Sequence, residues 1–202
     1  MIGMSSTKKP KIDRSYFSSY AGNKEKYSRI YRDHSGIAEC IQLFKMSAAP
    51  RLNRICVLGT ATGEVCQDFL SAFRRLPYGC EINVWAYEHT PVKFKKRISN
   101  QDLRDYISEC ARKGLLFDLV FSNSFIYLPV RDISKVFCEL ASIARYVHFD
   151  SSFTGAACPD PYRQTLKPYE WWNQKFMKAG FAPMHQLWGE RTYLWKNLKY
   201  SL

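Results

Sequence analysis

The chain has 202 residues, 46% of them hydrophobic and 24% charged, which fits one globular domain with a real core. No apolar run approaches the ~20 residues of a membrane span, and the first residues lack the charged-then-apolar plan of a signal peptide. Seven cysteines are scattered without a C-x-x-C pair, and Cys56, Cys66 and Cys138 sit in apolar runs, so a reducing, cytoplasmic protein with no zinc site or disulfide framework is expected.

The formal charge of +12 is uneven. Residues 1–54 hold eleven Lys and Arg against four Asp and Glu, and residues 92–113 and 163–202 are also basic. Such a surface attracts RNA or other polyanions through its field, or is ordinary solvated surface. Residues 1–14, with Lys8-Lys9-Pro10-Lys11, are expected to be a basic flexible tail. Over residues 15–50 aromatic and basic residues interleave, then Ile37, Ile41 and Phe44 follow at helical spacing, predicting an N-terminal helical cap. Residues 51–202 read as a single α/β domain without an internal repeat.

That domain opens with the apolar run Ile55-Cys56-Val57-Leu58, then Gly59-Thr60-Ala61-Thr62-Gly63, then Val65, Phe69 and Phe73 spaced four apart with Cys66 and Leu70 beside them. A buried strand, a turn of small residues and an amphipathic helix form the first βα unit of a doubly wound fold, where backbone can approach a ligand at the helix N-terminus. The dinucleotide fingerprint G-x-G-x-x-G would require its third glycine at Glu64, whose carboxylate opposes a pyrophosphate while complementing the helix dipole. The Gly-Lys-Ser/Thr ending of a phosphate-binding loop is also missing. The ligand expected is therefore a nucleoside without a phosphate chain; the alternative is a strand-turn-helix that binds nothing.

Pro77-Tyr78-Gly79 marks a turn, and residues 82–88 alternate apolar and polar, which predicts a second strand ending in Glu88. Glu88 follows Gly63 by 25 residues, where an acid accepts hydrogen bonds from ribose hydroxyls; it also reads as a helix-capping or salt-bridging residue. A helix is expected from Pro91. Residues 115–121 predict the central fourth strand, which places Ser122, Asn123 and Ser124 at its C-terminal end in the ligand crevice. Asp132 suits the cap of a helix whose face is Ile133, Val136, Phe137, Leu140, Ile143 and Ala144. Residues 146–150 predict a fifth strand; His148 within it is either a packed histidine or a catalytic proton acceptor, and residues 151–155 form its loop. After a Pro-rich connection, Pro168 and Gly180 bound a further helix, whose Trp171, Trp172 and Phe176 either stack a flat substrate or pack on the sheet. Residues 185–195 predict a closing hairpin.

Together these stretches resemble the class I S-adenosylmethionine-dependent methyltransferases, whose first motif has the form V-L-D-x-G-x-G-x-G. Gly59, Ala61 and Gly63 take the glycine positions, and Val57 stands where that family usually has an acidic residue that meets the methionine end of the cofactor. FDLVFSNSFIYLP resembles the fourth motif but lacks the N/D-P-P-Y/F form linked to methylation of adenine or glutamine amines. The resemblance implies a doubly wound, mostly parallel seven-stranded sheet with helices on both faces and an antiparallel C-terminal strand. It implies S-adenosyl-L-methionine as cofactor, S-adenosyl-L-homocysteine as product, and transfer of a methyl group to an O or N acceptor. Gly59, Thr60, Ala61, Gly63, Glu88, Ser122 and Asn123 would contact the cofactor; in that family an acid after the third strand binds the adenine amino group, and Asp102 is the candidate although no clean strand precedes it, the alternative being an ordinary surface Asp. The acceptor expected is a small molecule, with RNA second; no membrane partner is expected. A catalytically degenerate module that binds RNA or a protein is the competing expectation, favoured by Val57 and Ala61.

Overall fold

The structure is a computed structural model that describes residues 36–46, 52–149, 162–184 and 194–200. Its seven strands are β1 (Ile55–Leu58), β2 (Tyr78–Glu81), β3 (Ile98–Asn100), β4 (Phe117–Ser122), β5 (Ala144–His148), β6 (Phe181–Pro183) and β7 (Leu194–Asn197). They form one sheet in the order β3-β2-β1-β4-β5-β7-β6. The first five pair in parallel, while β7 runs antiparallel to both β5 and β6. Seven helices accompany them among the described residues: α1 (Ile37–Met46), α2 (Glu64–Phe73), α3 (Val84–His89), α4 (Val92–Lys95), α5 (Leu103–Arg112), α6 (Val130–Ile143) and α7 (Tyr169–Lys178).

Side-chain alternation along the buried strands divides the core in two. Cys56 and Leu58 of β1, with Val120 and Val147, meet the apolar sides of α5, α6 and α7. Ile55 and Val57, with Leu119 and Phe121, meet α1 and α2. The doubly wound architecture expected from the sequence is thus present, with an antiparallel strand near the C-terminus. The domain boundaries can be followed only in part. The tail at 1–14 lies outside the described residues, and of residues 15–50 only 36–46, which contain α1, are described.

The second strand departs from expectation. Residues 82–88 form no strand; β2 is Tyr78–Glu81, a stretch in which Pro77, Tyr78 and Gly79 read as a turn. Gly79 is at home there because it pairs with Val57, and a Cβ on it would meet the Val57 carbonyl oxygen at 2.2 Å. The alternating residues become α3 because Asn83 caps it, its side-chain oxygen accepting from the Ala86 N–H at 3.0 Å. Ile82 and Val84 are left exposed, so the alternation does not reflect a buried face.

Other boundaries shift modestly. β4 begins at Phe117, β5 at Ala144, and Asp132 lies in the first turn of α6 instead of capping it. The predicted α6 face is buried throughout. Pro168 and Gly180 bound α7 as expected, with φ of +92° at Gly180. Trp172 and Phe176 are packed, Phe176 stacking on Trp195 at 4.2 Å, so neither is presented to a substrate. The arms of the C-terminal hairpin are β6 and β7; residues 185–193 between them, and the loop at 151–155, lie outside the described residues. No described helix is long and apolar enough to cross a membrane.

Candidate functional site

The site is built where β1, β2 and β4 end. After Leu58 the chain turns through Gly59 (φ +77°), Ala61 (φ +49°) and Gly63 (φ +95°) before α2 begins. Left-handed backbone at three of five residues is a conformation in which glycine is unstrained and alanine is not. The loop is held by its neighbours. The N–H groups of Gly59 and Thr60 both donate to the Cys80 carbonyl, at 3.0 and 3.2 Å, and Gly63 N–H donates to Thr60 O at 2.9 Å. A Cβ on Gly59 would stand 1.9 Å from the Ser124 hydroxyl oxygen, so the loops after β1 and β4 touch at this point. Ser122, buried at the end of β4, donates to Leu58 O at 3.2 Å and accepts from the Ser124 N–H at 3.0 Å. Asn123 beside it is also buried.

The acid that meets this loop is Glu81, the last residue of β2. One carboxylate oxygen accepts from the Ala61 N–H at 2.7 Å and the other from the Asn83 N–H at 2.8 Å. Burial pushes its carboxyl up to about 7, against the opposing pull of the Asn83, Ala61 and Ile82 N–H groups. Thr90 buttresses the loop from α3, its hydroxyl lying 3.1 Å from Ala86 O and 3.3 Å from Ala61 O.

The expectation for Glu88 is corrected by this arrangement. Glu88 is exposed on α3, where its backbone carbonyl accepts from Lys95, and it does not stand at a strand end. Glu81 occupies that place and was missed because its strand reads as a turn. The signal was in the spacing: Glu81 follows Gly63 by 18 residues, nearer than Glu88 to the roughly 20 of such units.

Asp102 does follow the third strand. It caps α5 by accepting from the Arg104 N–H at 2.8 Å, and its carboxylate also takes the Arg104 guanidinium at 3.0 and 2.7 Å. Burial pushes the Asp102 carboxyl up, yet the Arg104 guanidinium and N–H together hold it below the usual range. Arg104 reaches on to Asp132 at 2.7 Å, tying the starts of α5 and α6 together.

His148 is the packed histidine of the two alternatives. It is buried, lies flat on Phe121 with centroids 4.8 Å apart, and burial lowers its pKa to about 3. A ring so reluctant to take a proton is poorly matched to general-base work near neutral pH.

The chain superposes on solved methyltransferases. A sugar N-methyltransferase from Streptoalloteichus matches with a TM-score of 0.66 over 98% of each chain at 13% identity. A TehB-like SAM-dependent methyltransferase from Corynebacterium glutamicum matches with 0.61 over 90% of this chain and 96% of that one at 15% identity. The magnesium protoporphyrin IX methyltransferase from Synechocystis, solved with bound SAH, matches with 0.57 over 91% and 94% at 19% identity. At such identities the likeness is one of fold. No protein-family model matches the chain, and no curated protein matches its sequence.

Proposed function

We propose that this chain, which has the class I S-adenosylmethionine-dependent methyltransferase fold, transfers a methyl group from S-adenosylmethionine to an oxygen or nitrogen of a small molecule. Glu81 carries the reading. It ends β2 beside the glycine loop, and a carboxylate accepts about four hydrogen bonds, so capacity remains for a ribose hydroxyl beyond the Ala61 and Asn83 N–H groups. The loop fits the cofactor in a second respect: the Thr60 hydroxyl oxygen is buried and lacks a hydrogen-bond partner among the described residues.

Gly59, Thr60, Ala61 and Gly63 would hold the cofactor along their backbone, Glu81 the ribose and Asp102 the adenine amino group. Ser122 and Asn123 would line the crevice, and residues 15–50 would cover it. Bound there, the cofactor supplies a methyl group already activated on a sulfonium. The chain's part is then to align the acceptor and exclude water, which asks for no strong catalytic base. A small-molecule acceptor is supported by structural neighbours that are named for a sugar and for a protoporphyrin. RNA has only the basic charge in its favour. A reducing, cytoplasmic setting belongs to the same proposal and draws on the free thiols of Cys40, Cys56, Cys66, Cys80, Cys110 and Cys138.

Calorimetry with S-adenosylmethionine and S-adenosylhomocysteine tests the reading. Binding with an upward thermal shift is the expected outcome. No heat and no shift at millimolar ligand would leave the degenerate binding module, which Val57 favours, as the better description.

A further inference from the structure

Glu64, the first residue of α2, has two carboxylate oxygens in unlike surroundings. Oε1 accepts the Thr62 hydroxyl at 2.5 Å. Oε2 is closed off from solvent and has no hydrogen-bond partner among the described residues. A carboxylate oxygen shut away from water without a donor is costly, and such a group in a folded protein calls for an explanation. The helix dipole complements the charge but brings no donor to this oxygen. In the same loop the buried Thr60 hydroxyl oxygen is also without a partner, and Val57, below it on β1, is apolar and fully buried. Two partnerless oxygens, one on the loop and one on the first residue of α2, therefore follow a strand that carries no negative charge.

We propose that Glu64 binds the α-ammonium of the cofactor's methionine moiety, its Oε2 accepting a hydrogen bond from the ammonium while Thr62 steadies Oε1. An ammonium has three donors and no acceptor, so the Thr60 hydroxyl oxygen is a suitable second partner. This assignment rests on the methyltransferase reading.

The test compares two ligands by calorimetry on the full chain: S-adenosylhomocysteine, which carries the ammonium, and 5′-deoxy-5′-methylthioadenosine, which lacks the amino-acid portion. Glu64→Gln should weaken S-adenosylhomocysteine about tenfold or more, the scale of a hydrogen bond to a charged group, and leave methylthioadenosine within about twofold. Because both ligands are measured on the same preparation, their ratio stays informative even if the variant is less stable. An unchanged S-adenosylhomocysteine affinity, or an equal loss for both ligands, would overturn the role of Glu64. Wild-type protein that binds neither ligand would instead overturn the methyltransferase reading itself.

Discussion

On the side of the sheet covered by α5, α6 and α7, burial is aromatic. Phe176 stacks on Trp195 and on Phe137, each at 4.2 Å, and Phe125, Phe149 and Trp172 close around them. Where β1, β2 and β4 end, burial is polar: Thr60, Glu81, Asn83, Ser122 and Asn123 are all enclosed, and Ala61 sits in left-handed backbone. In the aromatic layer burial contributes stability. The strand ends hold desolvated polar groups and backbone strain, which persist because the surrounding packing over-determines them. A region that runs against its own stability is where a ligand is expected to act.

Truncation in the aromatic layer should give the largest effect. Phe176→Ala removes a fully buried ring and should cost about 3–5 kcal/mol in denaturant unfolding, while the cofactor affinity of the folded molecules stays unchanged. A fall in that affinity would show that the two regions are not separable.

Glu81→Gln should act on binding, weakening the cofactor by about 1–3 kcal/mol, and should also cost about 1–3 kcal/mol of stability because the amide nitrogen replaces one of the two oxygens that accept the Ala61 and Asn83 N–H groups; Glu88→Ala serves as the control and should leave affinity unaltered. The pH dependence sharpens this prediction. With the folded pKa raised from 4.5 to about 7, the folded state binds more protons between those values. The Glu81 contribution to stability is therefore fully present below about 4.5, is lost as pH rises toward 7, and is flat beyond. Ribose hydroxyls favour the ionised carboxylate, so cofactor affinity should rise over the upper part of this window and binding should release protons. Calorimetry in buffers of different ionisation enthalpy reads that release directly, and the Gln variant should abolish it.

Ala61→Gly is the smallest effect. Relief of the left-handed alanine should stabilise the fold by about 0.5–1 kcal/mol in thermal melts. A loss of stability there would mean that the alanine methyl contributes more by packing than its backbone costs.

Legibility in the sequence followed burial. β1 and β4 announce themselves because both faces of a central parallel strand are covered, which leaves an unbroken apolar run. α6 and α7 announce themselves through helical periodicity and through Pro168 and Gly180. β2 and β3 are short, lie toward the sheet edge and owe their strand character to pairing; Tyr78-Gly79-Cys80-Glu81 has no strand composition of its own. The glycine loop is readable because its requirement is local, whereas the position of the acid beside it depends on Tyr78, Gly79 and Cys80 pairing with Cys56, Val57 and Leu58. The orphaned oxygen of Glu64 could not be foreseen at all, since the absence of a partner is a property of the assembled fold.

The strand order at the far edge also bears on how the chain is made. β7 separates β5 from β6, so β6 can join the sheet only after residues 194–197 have been synthesised. Until then β5 presents an unpaired edge, and Phe176 lacks the indole it stacks on. During synthesis on the ribosome the half of the molecule that carries the glycine loop can assemble first, leaving an adhesive seam that residues 194–197 must seal. A nascent chain stalled before Leu194 therefore exposes the β5 edge and the face of Phe176 to other chains.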